Sequence, residues 1–189
     1  MSRFKTFALF LCVSVLIAAT AMAGDISIKL SGPGVVNDST IKAGQPVSAD
    51  LYFSNDKVRR GISVGFKFTS DDIKQIVHVA DSGNGLNDRG DIKGYNGWQN
   101  KSVFDLTGVM VIEENWDAQL PDTVGFVGIV IKKRWQPQDS QKQLSVAFTV
   151  PDPGTLVIDS TFWPPGGEWM YDDTSKPEWE GPYKITVVK

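Results

Sequence analysis

The chain has 189 residues, with 19 lysines and arginines against 22 aspartates and glutamates, and its formal net charge is −3. The basic residues are scattered, so the concentrated positive surface that nucleic-acid binding requires is missing, and nucleic acid is not an expected partner. A single cysteine and a single histidine exclude thiolate nucleophiles and zinc sites rich in thiolate or imidazole ligands, and no cofactor is predicted.

Residues 1–23 have the three parts of a secretory signal peptide. A positively charged start is followed by an apolar run over 7–18 and by the small-x-small triplet Ala21-Met22-Ala23. The apolar run is shorter than the ~20 residues of a membrane span. We therefore predict cleavage after Ala23 and one mature domain over 24–189. That domain is expected to be secreted or periplasmic, without membrane attachment after cleavage.

The only cysteine, Cys12, lies inside the predicted signal peptide. Leu11 precedes it, and a lipoprotein signal would need a small residue there. Cys12 is therefore expected to leave with the signal, so the mature domain must be stable without disulfides even though it is exported. A single domain over 24–189 is long enough to bury a sizeable hydrophobic core without such a cross-link.

Nine segments of the chain predict β-strands, because apolar and polar residues alternate at period two or form short apolar runs. Turn-forming Gly, Pro, Asn and Asp separate them, and no long segment has helical periodicity, so the sheets should be mainly antiparallel. We predict an all-β fold, an antiparallel sandwich of about nine strands. The predicted strands are 26–30, 47–53, 62–68, 76–80, 109–113, 124–131, 144–150, 155–159 and 183–188.

The segment 81–101, DSGNGLNDRGDIKGYNGWQNK, predicts a long polar loop or short hairpin. Its first part, 81–91, offers carboxylate and amide oxygens of the kind that calcium prefers. The same residue types are ordinary turn formers, and the helix-flanked calcium-loop pattern is missing. We therefore predict no metal site.

The segment 160–173, STFWPPGGEWMYDD, concentrates aromatic rings between two prolines and two glycines. These rings could form an exposed platform that stacks on sugars, or a rigid plug that closes one end of the sandwich. The stiff Pro-Pro-Gly-Gly backbone favours the plug, and we predict that Trp163 and Trp169 are substantially buried. The candidate ligand-binding residues, if the rings are accessible, are Trp163, Trp169, Tyr171 and Trp179.

Carboxylates flank two of the tryptophans, as they do in glycosidase clefts, where two carboxylates carry the chemistry. Around Trp116 these are Glu113, Glu114 and Asp117, and around Trp169 they are Glu168, Asp172 and Asp173. The same pattern is typical of solvated strand ends in an acidic protein. The single histidine, His78, lies in an apolar strand segment, and no nucleophile-elbow sequence accompanies it. We predict no catalytic residue and hence no enzyme.

Two stretches together resemble cohesin-like secreted domains of environmental bacteria: GQPVSADLYFSNDKVRRGISVGFKF (44–68) and GTLVIDSTFWPPGGEWMYDD (154–173). As in that family, a polar Asn55-Asp56 turn leads into a strand over Gly61 to Phe68. The resemblance implies a nine-stranded jelly-roll sandwich, related in shape to cellulose-binding modules. In cohesins one sheet face docks a calcium-loaded dockerin module, although no motif here assigns that face to numbered positions.

The hypothesis that follows is a secreted, non-enzymatic interaction module of cohesin-like type. Its partner would be a polysaccharide or a secreted protein. Two alternatives remain open: a small secreted glycoside hydrolase using Glu113 with Glu114, or Glu168 with Asp172, and a purely structural surface or matrix subunit.

Overall fold

The computed structural model describes residues 24–78, 106–113, 119–131, 134–161 and 169–189. Within these ranges the chain forms strands and turns, with no helix, and therefore no helix long and apolar enough to cross a membrane. The strands are β1 (Asp25–Ser31), β2 (Val35–Asn37), β3 (Thr40–Lys42), β4 (Pro46–Asn55), β5 (Gly61–Thr69), β6 (Val77–His78), β7 (Leu106–Glu113), β8 (Asp122–Ile129), β9 (Gln138–Thr149), β10 (Gly154–Ser160), β11 (Met170–Tyr171), β12 (Glu178–Trp179) and β13 (Tyr183–Val188).

The strands form two sheets packed face to face. The first sheet has the order β12-β1-β4-β9-β6, and the second has the order β2-β3-β13-β10-β5-β8-β7, with β11 also paired to β5. Neighbours in the sheets are mostly distant in sequence, as in a jelly roll, and most pairs are antiparallel. Two pairs, β1 with β12 and β3 with β13, are parallel. The predicted all-β sandwich is confirmed.

The core lies between the two sheets and follows the alternation in the sequence. On β5 the inward residues Ile62, Val64, Phe66 and Phe68 are all buried. Aromatic pairs join the sheets across the core, with ring centroids of Phe68 on β5 and Phe148 on β9 5.5 Å apart. Such ring contacts add to the burial of apolar area, which is the main stabilising contribution in a domain that has no cross-link.

Each of the nine predicted strands coincides with an observed strand, and four short strands were not predicted: β2, β3, β11 and β12. These have two or three residues each, too few to show a period of two. They form because longer strands already present backbone donors and acceptors beside them. The signal peptide, the 81–101 loop and Trp163 lie outside the described residues.

Candidate functional site

Two of the sequence-predicted aromatic residues meet where the edges of the two sheets approach each other. Trp169 precedes β11, and Trp179 belongs to β12, which pairs with β1. Their rings contact edge to face at 5.0 Å, and Trp169 makes a similar contact with Phe66 at 5.1 Å. Trp179 in turn packs on Tyr183 at 5.2 Å. The four rings form a cluster that closes this edge of the sandwich.

The indole N–H groups of this cluster are also satisfied. Trp169 Nε1 donates to the carbonyl of Gly65 at 2.6 Å, and Trp179 Nε1 donates to Asp159 Oδ1 at 2.8 Å. Trp169 is 8% exposed and Trp179 is half-buried. The prediction that Trp169 is buried is confirmed, and the corresponding prediction for Trp163 lies outside the described residues.

Tyr171 belongs to a second cluster, whose side chains are buried. Its ring packs beside Trp135, with centroids 5.9 Å apart, and the guanidinium of Arg59 lies 4.1 Å from its centroid. Its hydroxyl donates to the carbonyl of Ser54 at 2.8 Å. Burial raises the pKa of Tyr171 well above its ordinary value, so it stays neutral. A ring covered in this way offers no face for stacking on a sugar.

The ligand-binding role predicted for the four aromatic residues stays a prediction. Stacking on a ligand requires an open ring face, and Trp169 and Tyr171 instead turn their rings into the protein. Trp179 keeps a partly exposed edge, but its ring is contacted by Phe66 and Tyr183 as well as by Trp169.

The described carboxylates of the aromatic segment are used to hold the turn after β11. Asp173 forms ion pairs with Lys57, at 2.6 Å, and with Arg59, and it accepts from Ser175 Oγ. The bond from Lys57 and the bond from Ser175 hold the pKa of Asp173 well below its usual range, so it is unsuited to act as a general acid. Asp172 Oδ1 accepts from the backbone N–H of Arg60 at 3.0 Å.

The remaining predicted carboxylates are not brought to this turn by any described contact. Glu113 ends β7, while Glu114, Asp117 and Glu168 lie outside the described residues. Across the ranges that the structure describes, no group of three or more His, Cys, Asp or Glu side chains is arranged to hold a metal ion. The 81–91 segment, which offered oxygen ligands for calcium, lies outside the described residues.

The feature that sequence reasoning missed is a shallow groove on the outer face of the second sheet. Gly61 and Ser63 of β5 form its floor, and it has a volume of about 260 Å³. Val127 and Ile129 of β8 line one side, because the register places them opposite Ser63 and Gly61. The turn around β11 lines the other side, because Met170 pairs with Ser63. We call this feature the β5–β8 groove.

The groove is apolar and open to solvent. Ile129 is 43% exposed, and Val127 and Met170 are half-buried. An isolated exposed aliphatic residue is ordinary, but several around one concave surface on a sheet face are typical of a contact surface. The sequence VGFVGIVI (124–131) contained an indication of the groove. A strand with apolar side chains on both faces needs packing partners on both faces of the sheet.

The fold was compared with known proteins. No protein-family model and no curated protein sequence matches the chain. Among solved structures, a type II cohesin domain from the cellulosome of Acetivibrio cellulolyticus is similar, with a TM-score of 0.50 and 15% identity over 86% of this chain and 95% of that one. The type II cohesin dyad from the adaptor ScaA scaffoldin of the same organism gives a TM-score of 0.50 and 12% identity, over 88% of this chain and 50% of the dyad. The fold of the chain is therefore cohesin-like.

Proposed function

We infer that the protein is a secreted, non-enzymatic module that binds a protein partner through the β5–β8 groove. The observation that carries this proposal is the groove itself, an open apolar concavity on a sheet face. The cohesin-like fold supports it, because the similar structures are modules of cellulosome scaffolds by their own descriptions. Secretion rests on the predicted signal peptide.

The chemistry of the groove favours a protein over a polysaccharide. Sugar-binding surfaces use open aromatic faces and polar groups, whereas the groove is lined mainly by aliphatic side chains such as Val127 and Ile129. Protein interfaces have an apolar centre and a polar rim, and here Asp172 and Thr174 supply exposed polar groups at the margin. The partner should therefore present apolar side chains that fill the groove.

The test compares binding by variants that change one exposed aliphatic residue to arginine. Ile129→Arg puts a long charged side chain into the apolar part of the groove and should reduce capture of the partner at least tenfold, since binding would then have to desolvate that charge. The matched control is Val77→Arg, at a site that is 46% exposed on the other sheet. Immobilised wild type and both variants are exposed to the secreted proteins of the native source.

The proposal is supported if one partner is retained by wild type and Val77→Arg and is lost with Ile129→Arg. It is wrong if Ile129→Arg captures the same proteins as wild type. Retention on a polysaccharide panel that survives Ile129→Arg, or turnover of any of those polysaccharides, would favour the carbohydrate-binding or hydrolase alternative instead.

A further inference from the structure

Gly24 is fixed tightly at the end of the first sheet. It is buried, its φ is +105°, and its carbonyl accepts from the backbone N–H of Glu178 at 2.9 Å. A Cβ built on Gly24 would lie 2.6 Å from the hydroxyl of Tyr171 and still closer to the carbonyl of Ser54. Only glycine fits at this position, because both the backbone angle and the space exclude a side chain.

Gly24 is one of the residues that line an acidic pocket of about 310 Å³. Three elements each contribute one carboxylate to its lining: β1 contributes Asp25, the turn after β4 contributes Asp56, and β9 contributes Asp139. No lysine or arginine is among the lining residues. Lys57 pairs with Asp173, whereas Arg59 pairs with Asp173 and also with Asp56, so the charge of Asp56 is already partly balanced.

A buried acceptor in the same pocket lacks a donor. Asn55 is 4% exposed, and its Nδ2 donates to the carbonyl of Lys57 at 2.7 Å. Its Oδ1 has no hydrogen-bond partner within the part of the chain that the structure describes. A buried amide oxygen without a donor costs about 1–3 kcal/mol, so this position favours an added donor.

The predicted signal-peptide cleavage would create that donor. In the uncleaved chain the nitrogen of Gly24 is a neutral amide with one hydrogen. After cleavage behind Ala23 the same nitrogen is an ammonium with three donors and a positive charge. It would then share the pocket with the carboxylates of Asp25, Asp56 and Asp139 and with the unpaired oxygen of Asn55.

We propose that this pocket is a binding site for the chain's own new N-terminus: cleavage after Ala23 places the Gly24 ammonium among Asp25, Asp56, Asp139 and Asn55, and thereby stabilises the domain. Tyr171, whose hydroxyl lies close to Gly24, stays neutral and does not oppose the charge. Gln138 Nε2 also lacks a described partner, and it can donate to a water that the ammonium holds in this polar pocket.

The pH dependence follows from the sign of the interaction. Carboxylates around an ammonium raise its folded-state pKa above the unfolded value of about 7.7–8.0. The stabilisation is therefore fully present below that unfolded value and is lost as pH rises through the folded pKa. Each unit by which folding raises the pKa corresponds to about a tenfold gain in the folding equilibrium constant.

The experiment compares the processed protein that begins at Gly24 with the same protein acetylated on its α-amino group. Urea midpoints are measured at pH 6 and pH 10 for both forms. The free amine should be more stable at pH 6, by about tenfold in the folding equilibrium constant if its pKa rises by one unit, and the gap should close at pH 10. A raised amine pKa should also appear as slower acetylation of the folded protein near pH 8.

Two charge-matched variants make the result specific. Asp139→Asn, inside the pocket, should shrink the gap between the free and acetylated forms. Asp152→Asn, an exposed residue beyond the far end of β9, should leave the gap unchanged. Equal stability of the two forms at pH 6, a gap that Asp139→Asn does not alter, or an exported chain that begins elsewhere than Gly24 would each overturn the proposal.

Discussion

Trp169 shows how one side chain can both fill space and fix geometry. Its indole is 8% exposed and packs against Phe66 and Trp179, while its N–H donates to the carbonyl of Gly65. Gly65 lies between the stretches of β5 that pair with β10 and with β11, and its carbonyl accepts both the indole N–H of Trp169 and the backbone N–H of Thr161. The side chain therefore joins the core to the edge of the second sheet.

We predict that Trp169→Ala lowers the free energy of unfolding by about 3–5 kcal/mol, because it leaves a cavity in the ring cluster. Domains of this size have a total stability of roughly 5–15 kcal/mol, so the loss should be large. The measurement is the urea midpoint of the purified variant. Val36→Ala, at a site 50% exposed on β2, is the control and should change the midpoint little. An unchanged midpoint for Trp169→Ala, with loss of binding to polysaccharides, would contradict the plug interpretation.

At the scale of elements, charged side chains hold the turn after β11 against the connection between β4 and β5. Asp173 contacts both Lys57 and Arg59, and Arg59 is 1% exposed beneath the ring of Tyr171. A buried guanidinium is costly unless its charge is balanced, so Asp173 and Asp56 together permit Arg59 to be there. This turn also lines the β5–β8 groove, which links its ion pairs to the shape of the proposed binding surface.

The lowered pKa of Asp173 predicts an acid-sensitive contribution from this element. Because the folded pKa lies below the unfolded value of about 3.9, the contribution is present at neutral pH and is lost as pH falls below about 4. Asp173→Asn should destabilise the protein by about 1 kcal/mol at pH 7, a modest amount because solvent screens the half-exposed carboxylate. The difference from wild type should shrink toward pH 2.5.

The measurement is thermal unfolding across this pH range, with Asp152→Asn as a control for the loss of one negative charge. Asp152 is exposed, and no ion pair that the structure describes involves it. A difference between Asp173→Asn and wild type that stays constant from pH 7 to pH 2.5 would contradict the assignment.

At the scale of the whole molecule, stability comes from two sheets joined by a continuous core. Buried residues from both sheets form one hydrophobic cluster, to which β4 and β5 each contribute four side chains: Val47, Ala49, Leu51, Phe53, Ile62, Val64, Phe66 and Phe68. The only cysteine lies in the predicted signal peptide, so a core of this kind must stabilise the processed domain without covalent help.

We predict that the exported protein begins at Gly24, has a far-ultraviolet circular dichroism spectrum of strands, and melts at the same temperature with and without reductant. The reason is that residues 24–189 contain no thiol and the described part has no helix. Intact mass, circular dichroism and melting in reductant check these three statements. Strong helical minima, a reductant-dependent melting temperature or a mass that retains residues 1–23 would contradict them.

The sequence by itself determined the fold class and the positions of nine strands, because the two faces of a sandwich sheet differ in exposure and so impose a period of two along a strand. It also indicated that Trp169 is buried, because proline and glycine set the backbone around it. Strand positions and the backbone shape around Trp169 are local properties, because residues close together in the sequence determine them.

Only the tertiary structure decided which segments meet. The register of β5 with β8 and with β11 creates the groove from residues more than 40 positions apart, such as Ser63, Val127 and Met170. The same holds for the acidic pocket, where Gly24, Asn55 and Asp139 converge from three parts of the chain. A local pattern carries no information about such pairings, since strand order depends on the packing of the whole sandwich.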